Sequence, residues 1–301
     1  MLTSPTHAII GTTNIDRAAT FLAAFGYSDR RDDVVSREAA AALYGLDNAT
    51  RQATVRMPLG GDGPGWIRLV ETPLGPHHAG PYDYGPHAID LYTRDIEQSV
   101  AAARAAGAAC GPIVHYPVGP LQIGEAKVVG PDHLVVVFIQ VDRRRPSLLD
   151  HPSAPLHSEL HSAVWTVPAI DPVKAFWTEH AGLPQLLDAT IASPEVAKFM
   201  GLSREDAPIR LLVMADRAQA PARVELLEFP EDPGAQAPAD RPMRAGLYAL
   251  GFTADDVEAA MAALHPVAWG ATTDASVDGR RHRAVSGVAP GGVRIELWAR
   301  T

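Results

Sequence analysis

The chain has 301 residues, 47% of them hydrophobic and 20% charged, with a formal net charge of −9, the make-up of a globular protein long enough for two domains. The acidic balance argues against a sequence-independent grip on nucleic acid, which needs clustered Lys and Arg. No apolar run approaches the roughly 20 residues of a membrane span, and the start lacks the basic and apolar regions of a signal peptide, so the expected setting is the cytoplasm.

In chain order, the first predicted strand begins at His7 and is followed by a helix capped by Asn14, with Ala18, Phe21, Leu22 and Phe25 on one face. A short helix (SREAAAALYGLDN) and a strand (GWIRLVETP) come next. The run GGDGPG at 60–65 lacks the Lys-Ser/Thr of a phosphate loop and reads as a hairpin turn. The segment GPHHAGPYDYGPH, with His77 and His78, reads as a Gly-rich connector, with a lid or a surface metal site as alternatives. A second strand around Ile89 and Leu91 leads to a helix after Asp95, then to Gly130-Pro131-Asp132 and the strand HLVVVFIQ. The single cysteine, Cys110, excludes an internal disulfide and any Cys-x-x-Cys motif.

The Arg- and Pro-rich run from Arg143 to Pro155 reads as a linker. Beyond it the pattern returns: a strand with Ala163, Trp165 and Val167, a helix starting at Asp171-Pro172, then SPEVAKFMGLSRED and ARVELLEFP. Segment 193–230 repeats segment 36–73, with Gly201 answering Gly45 and Pro230 answering Pro73, so one unit is duplicated. The last quarter supplies a strand with Leu250 and Phe252, a helix after Asp256, a basic hairpin tip at 280–283, and VRIELW.

The strand, helix and hairpin sequence therefore occurs four times. Together with the closing Pro-x-Gly-x-x-Ile-Glu-Leu pattern, it resembles the module of the vicinal oxygen chelate superfamily, the glyoxalase, bleomycin-resistance and extradiol-dioxygenase group. The resemblance implies an α+β fold of two tandem domains, 1–145 (modules 5–75 and 85–142) and 156–301 (modules 158–232 and 245–300). Paired βαβββ modules would form curved half-barrel sheets around clefts. It also implies a divalent metal (iron, zinc, manganese or nickel) held by His at the start of a module and Glu in its last strand.

Strand alternation tests those positions, because the residues packing under each helix fix which neighbours face the cleft. Ala8 and Ile10 go under the helix, leaving His7 facing the cleft; Ile89 and Leu91 leave Asp90 and Tyr92 there and turn His87 away. Ala163 and Trp165 leave Ser162 and turn His161 away, and the fourth module offers only Ala249 and Gly251. In the closing strands Glu225 and Glu296 match the carboxylate position, whereas the first module has Arg68 and the second Val137. The matched metal set is His7, Glu225 and Glu296; a one-residue bulge would offer His87, His161 and Glu225 instead.

Without metal, Arg68 would stabilise an oxyanion while His7 or Glu296 moves the proton. Trp66, Asp90, Tyr92, Ser162 and Trp298 are the expected substrate contacts. The expected function is a lyase, isomerase or ring-cleaving enzyme on an oxygenated metabolite, aromatic or not, in a cleft between paired modules. Its alternative is a small-molecule-binding or antibiotic-sequestering protein that has lost its ligands; either would act as a monomer or homodimer.

Overall fold

The computed structural model of the chain describes residues 2–76, 80–216, 221–232, 234–235 and 242–301, so His77 and His78 lie outside the described residues. The first module comprises β1 (His7–Thr12), α1 (Ile15–Ala23), β2 (Asp29–Val35), α2 (Arg37–Tyr44), β3 (Thr50–Arg56) and β4 (Trp66–Glu71). The second comprises β5 (Gly85–Thr93), α3 (Ile96–Ala105), β6 (Ala109–Val118), β7 (Leu121–Val129) and β8 (Val135–Val141). The third comprises β9 (His157–Thr166), α4 (Ile170–Ala175), β10 (Gln185–Ile191), α5 (Pro194–Met200), β11 (Ile209–Met214) and β12 (Arg223–Glu228). The fourth comprises β13 (Gly246–Thr253), α6 (Val257–Ala263), β14 (Ala268–Trp269), β15 (Thr273–Val277), β16 (Arg280–Val288) and β17 (Arg294–Arg300).

Within every module the last strand runs parallel to the first. Modules join through antiparallel first strands: β1 pairs with β13, and β5 with β9. The fold is thus α+β with two curved sheets. Both sheets cross the division at 143–155, one combining the first and fourth modules and the other the second and third.

Local chemistry sets the helix ends. The side chains of Asn14, Asp95 and Asp256 accept the free backbone N–H of Arg17, Gln98 and Ala259. The third module departs from expectation, because α4 starts at Ile170, one residue before Asp171. The carboxylate of Glu228 on the neighbouring strand accepts the Ile170 N–H at 2.9 Å, replacing a local cap. Both α2 and α5 end on a left-handed glycine, Gly45 at φ 68° and Gly201 at φ 79°, a conformation that Cβ disfavours.

Helices α1, α3, α4 and α6 cover the outer faces, and their apolar sides merge into one core that spans both sheets. Phe25 meets Phe138 edge-on at 5.1 Å, and Trp177 faces Phe252 at 6.2 Å. Each large apolar side chain buried there contributes about 1.5–3 kcal/mol. No described helix is long and apolar enough to cross a membrane.

Candidate functional site

The concave faces of the two sheets differ. In the first, α2 inserts Ala40, Leu43 and Tyr44, and Tyr248 and Trp298 pack against them. Arg68 and Glu296, both 0% exposed, form a buried ion pair, and Trp298 Nε1 donates to the same carboxylate at 3.0 Å. The Arg68 guanidinium lies over the Trp298 ring at 4.0 Å. His7 stacks on Trp66 at 3.8 Å, and Thr6 Oγ lies 2.9 Å from its Nδ1. The ring of His7 occupies the space beside Gly251, where an added Cβ would lie 2.0 Å from it. Five expected site residues, His7, Trp66, Arg68, Glu296 and Trp298, are thus brought together: Arg68 and Glu296 are fully buried, whereas His7, Trp66 and Trp298 line a hollow of about 360 Å³ with Thr6, Asp62 and His282.

In the second sheet α5, the duplicate of α2, packs Val196, Phe199 and Met200 along one wall and leaves a cavity of about 560 Å³. That is ample for a small metabolite. Asp90, Tyr92, His161 and Glu225 line it, with Glu125, Tyr116 and Arg223. Ser162 stands behind, accepting from Arg223 Nε at 3.2 Å. Tyr92 lies against the His161 ring at 3.5 Å.

Simple alternation turned His87 and His161 away from the cleft, but both line the cavity. The β5–β9 pairing explains the correction. Pro86 faces Trp165 and Ala88 faces Val164, so His87 is an extra residue on β5; Asp90 faces Ser162 and Leu91 faces Leu160, so His161 is an extra residue on β9. Each bulge re-aims its histidine.

Burial dominates the electrostatics of the cavity. It holds the Asp90 carboxyl well above the usual carboxylate range, helped by the charges of Glu225 and Glu125, and one Asp90 oxygen, Oδ1, is buried without a hydrogen-bond partner. Glu225 is pushed up by burial, with Arg223, 3.9 Å away, opposing. Glu125, which accepts from Tyr116 Oη at 2.5 Å, is pushed up to about 7 by burial against that hydrogen bond. His161 contacts the Arg223 guanidinium through Nε2 and is held well below the ordinary imidazole value by burial, Arg223 and Arg145. The floor thus combines three carboxyls of raised pKa, an imidazole of lowered pKa and the Arg223 guanidinium.

The metal set His7, Glu225 and Glu296 is not assembled, because His7 and Glu296 belong to one sheet and Glu225 to the other. The alternative set fails differently. His87 has Lys127 and His133 as its charged neighbours, whereas His161 has Arg223 and Arg145. Among the described residues no three His, Cys, Asp or Glu side chains converge to hold a metal ion. Arginine also stands beside the carboxylate in both clefts, Arg68 on Glu296 and Arg223 near Glu225, and its charge opposes a cation. The donor sets do not fit a divalent ion.

Alternation in the first and last strands gives Asp90, Tyr92 and Glu225 but misses Glu125 and Tyr116, which sit on middle strands. The same rule would have found Glu125: Ala126 and Val128 of β7 pack under the helices, which turns Glu125 and Lys127 to the concave side. Arg143, Arg144 and Arg145, read as linker, form part of the cavity wall.

No family model matches the chain, and no curated protein matches it. Among solved structures, glyoxalase I from Zea mays superposes with a TM-score of 0.61 at 12% identity, covering 98% of this chain and 92% of that one. A point mutant of the same maize enzyme matches similarly, with a TM-score of 0.61 at 15% identity over 98% and 93% of the two chains. A proposed dioxygenase from Bacillus subtilis matches with a TM-score of 0.59 at 11% identity, over 99% and 86%. The likeness shows that the fold is shared with these proteins and extends over both sheets.

Proposed function

We propose that the chain is a small-molecule enzyme of the isomerase or lyase kind, which moves a proton on an oxygenated, largely apolar metabolite bound between the second and third modules. One observation carries this reading: Asp90 presents a buried, partnerless carboxyl oxygen at the floor of an apolar cavity, beside two further carboxyls of raised pKa. A carboxyl kept neutral near pH 7 donates a hydrogen bond to a substrate oxygen, while a neighbouring carboxylate takes a proton from the adjacent carbon.

In this scheme Asp90 polarises the substrate oxygen, Glu225 or Glu125 serves as base, and Arg223 balances the developing negative charge. Tyr92 and His161 pack as a plate against which an aromatic ring can lie. Ring cleavage through a metal is not carried forward, because no convergent donor set among the described residues supports it. In the other sheet the fully buried Arg68–Glu296 pair serves as structure, with His7 stacked on Trp66 at the wall of a smaller hollow.

The test is proton NMR in D₂O with phenylacetone and 2-hydroxyacetophenone as probes. Protein-dependent deuterium uptake at the carbon beside the carbonyl, above the buffer rate, is the expected result. Binding of both probes with no exchange would favour a second reading, a sequestering protein, which the apolar walls of Val137, Ile139, Val164 and Leu227 support.

A further inference from the structure

His87 and Met200 line a second, adjoining hollow of about 340 Å³, bounded by Pro86 on β5 and by the approach to β13 from Arg244 to Tyr248. Its lining carries the cations Lys127 and Arg244 and the histidines His87 and His133, and among the described residues no aspartate or glutamate; burial brings the His87 pKa down to about 4, so its ring enters as a neutral hydrogen-bonding group. In a chain of net charge −9, a hollow without carboxylates is a departure from the average surface.

Two further observations point to an anion. Lys127 is half-buried, yet its ammonium meets only the Met200 carbonyl at 3.4 Å and the Phe199 ring at 5.8 Å. No described carboxylate pairs with it. Burying an ammonium without counter-charge is costly, and the burial lowers the Lys127 pKa. The neighbouring turn is also strained, with Asp132 at φ 54° and His133 at φ 58°, conformations that cost about 1–3 kcal/mol each. Asp132, the acidic residue nearest in sequence, is occupied elsewhere, accepting from Thr12 Oγ at 2.6 Å and from Thr13 N and Oγ at 2.7 Å. His133 lies on the wall of the hollow.

From this juxtaposition we infer that the hollow is an oxyanion subsite, receiving the carboxylate or phosphate of a ligand whose apolar body lies in the main cavity. The placement of the body rests on the reading above; the anion site stands on Lys127, Arg244 and the two histidines.

Inorganic phosphate titrated into the full chain, followed through the imidazole NMR signals of His87 and His133, is expected to give saturable shifts. Lys127→Met, and at the surface Arg244→Gln, should each weaken binding by about tenfold or more, the size of one lost charge-assisted hydrogen bond. Arg283→Gln, on the far hairpin, should leave binding unchanged. Shifts that never saturate, or equal weakening by Arg283→Gln, overturn the site.

A second comparison, by calorimetry, uses 4-phenylbutyrate and 4-phenylbutanamide, which share an apolar body. The carboxylate should bind about tenfold tighter, an advantage lost in Lys127→Met and Arg244→Gln. Equal affinities overturn the two-part ligand and leave the main cavity standing. Saturable phosphate with neither phenyl compound bound would instead sink the main-cavity reading, and the shared ligand with it.

Discussion

Asp90 is the residue on which the chemistry turns, because only its proton keeps a buried carboxyl tolerable at neutral pH. Asp90→Asn keeps the shape and a hydrogen-bond donor but removes the transferable proton. Exchange in D₂O should fall by about a hundredfold or more while probe affinity, measured by calorimetry, stays within a few-fold. Glu125 titrates in the working range. Raised from 4.5 to about 7, it adds stability below about pH 4.5 that is lost as pH rises through 7. Glu125→Gln should therefore melt higher than the parent at pH 8 and lose that advantage at pH 4, as thermal denaturation at the two pH values would show. At the buried ion pair of the first sheet, Arg68→Met would strand the Glu296 charge and cost about 3–5 kcal/mol, whereas adding Glu296→Leu should recover most of it; urea unfolding of the single and double variants is the check. The sequence exposes these residues unevenly. Asp90 and Glu225 declare themselves by standing in otherwise apolar strands, but nothing in the string Ile67-Arg68-Leu69 says that its guanidinium meets Glu296, 228 positions later.

Helices α2 and α5 descend from one repeated segment yet do opposite things. Tyr44 and Leu43 plug the first cleft where Met200 and Phe199 merely line the second. Exchanging the plug tests this. Met200→Tyr should shrink the second cavity and weaken probe binding by about tenfold with little change in melting temperature. Tyr44→Ala should open a void in the first cleft at a cost of about 3 kcal/mol or more, read by urea unfolding. The helices were legible from Asn14, Asp95 and Asp256 as caps and, for α2 and α5, from their Gly-Leu ends, and the strands from alternation. The bulges at His87 and His161 were legible only as an alternative to strict alternation, because an extra residue in one strand leaves no mark on the hydrophobic pattern; which register holds appears only once the partner strand is known. Pairing itself was illegible for a related reason: four modules with the same pattern leave every combination of first strands equally plausible.

At the scale of the molecule, the two sheets are held together by the shared helical core, and His157 sits inside it, against Phe138 at 4.9 Å and Phe25 at 5.4 Å. Burial brings its pKa down from 6.5 to about 4. The neutral ring therefore supports the fold above about pH 6.5, and that support is lost as pH falls through 4, where the ring must charge. His157→Phe should flatten the drop in melting temperature between pH 6.5 and 4; an unchanged slope would assign the acid sensitivity to other groups. The seams β1–β13 and β5–β9 have a consequence for inheritance. Neither half of the chain encodes a finished sheet, so replacing residues 156–301 with a distant relative's counterpart would require both edges to match at once. The halves are free to diverge in what their pockets hold, but at the seams they must change in step.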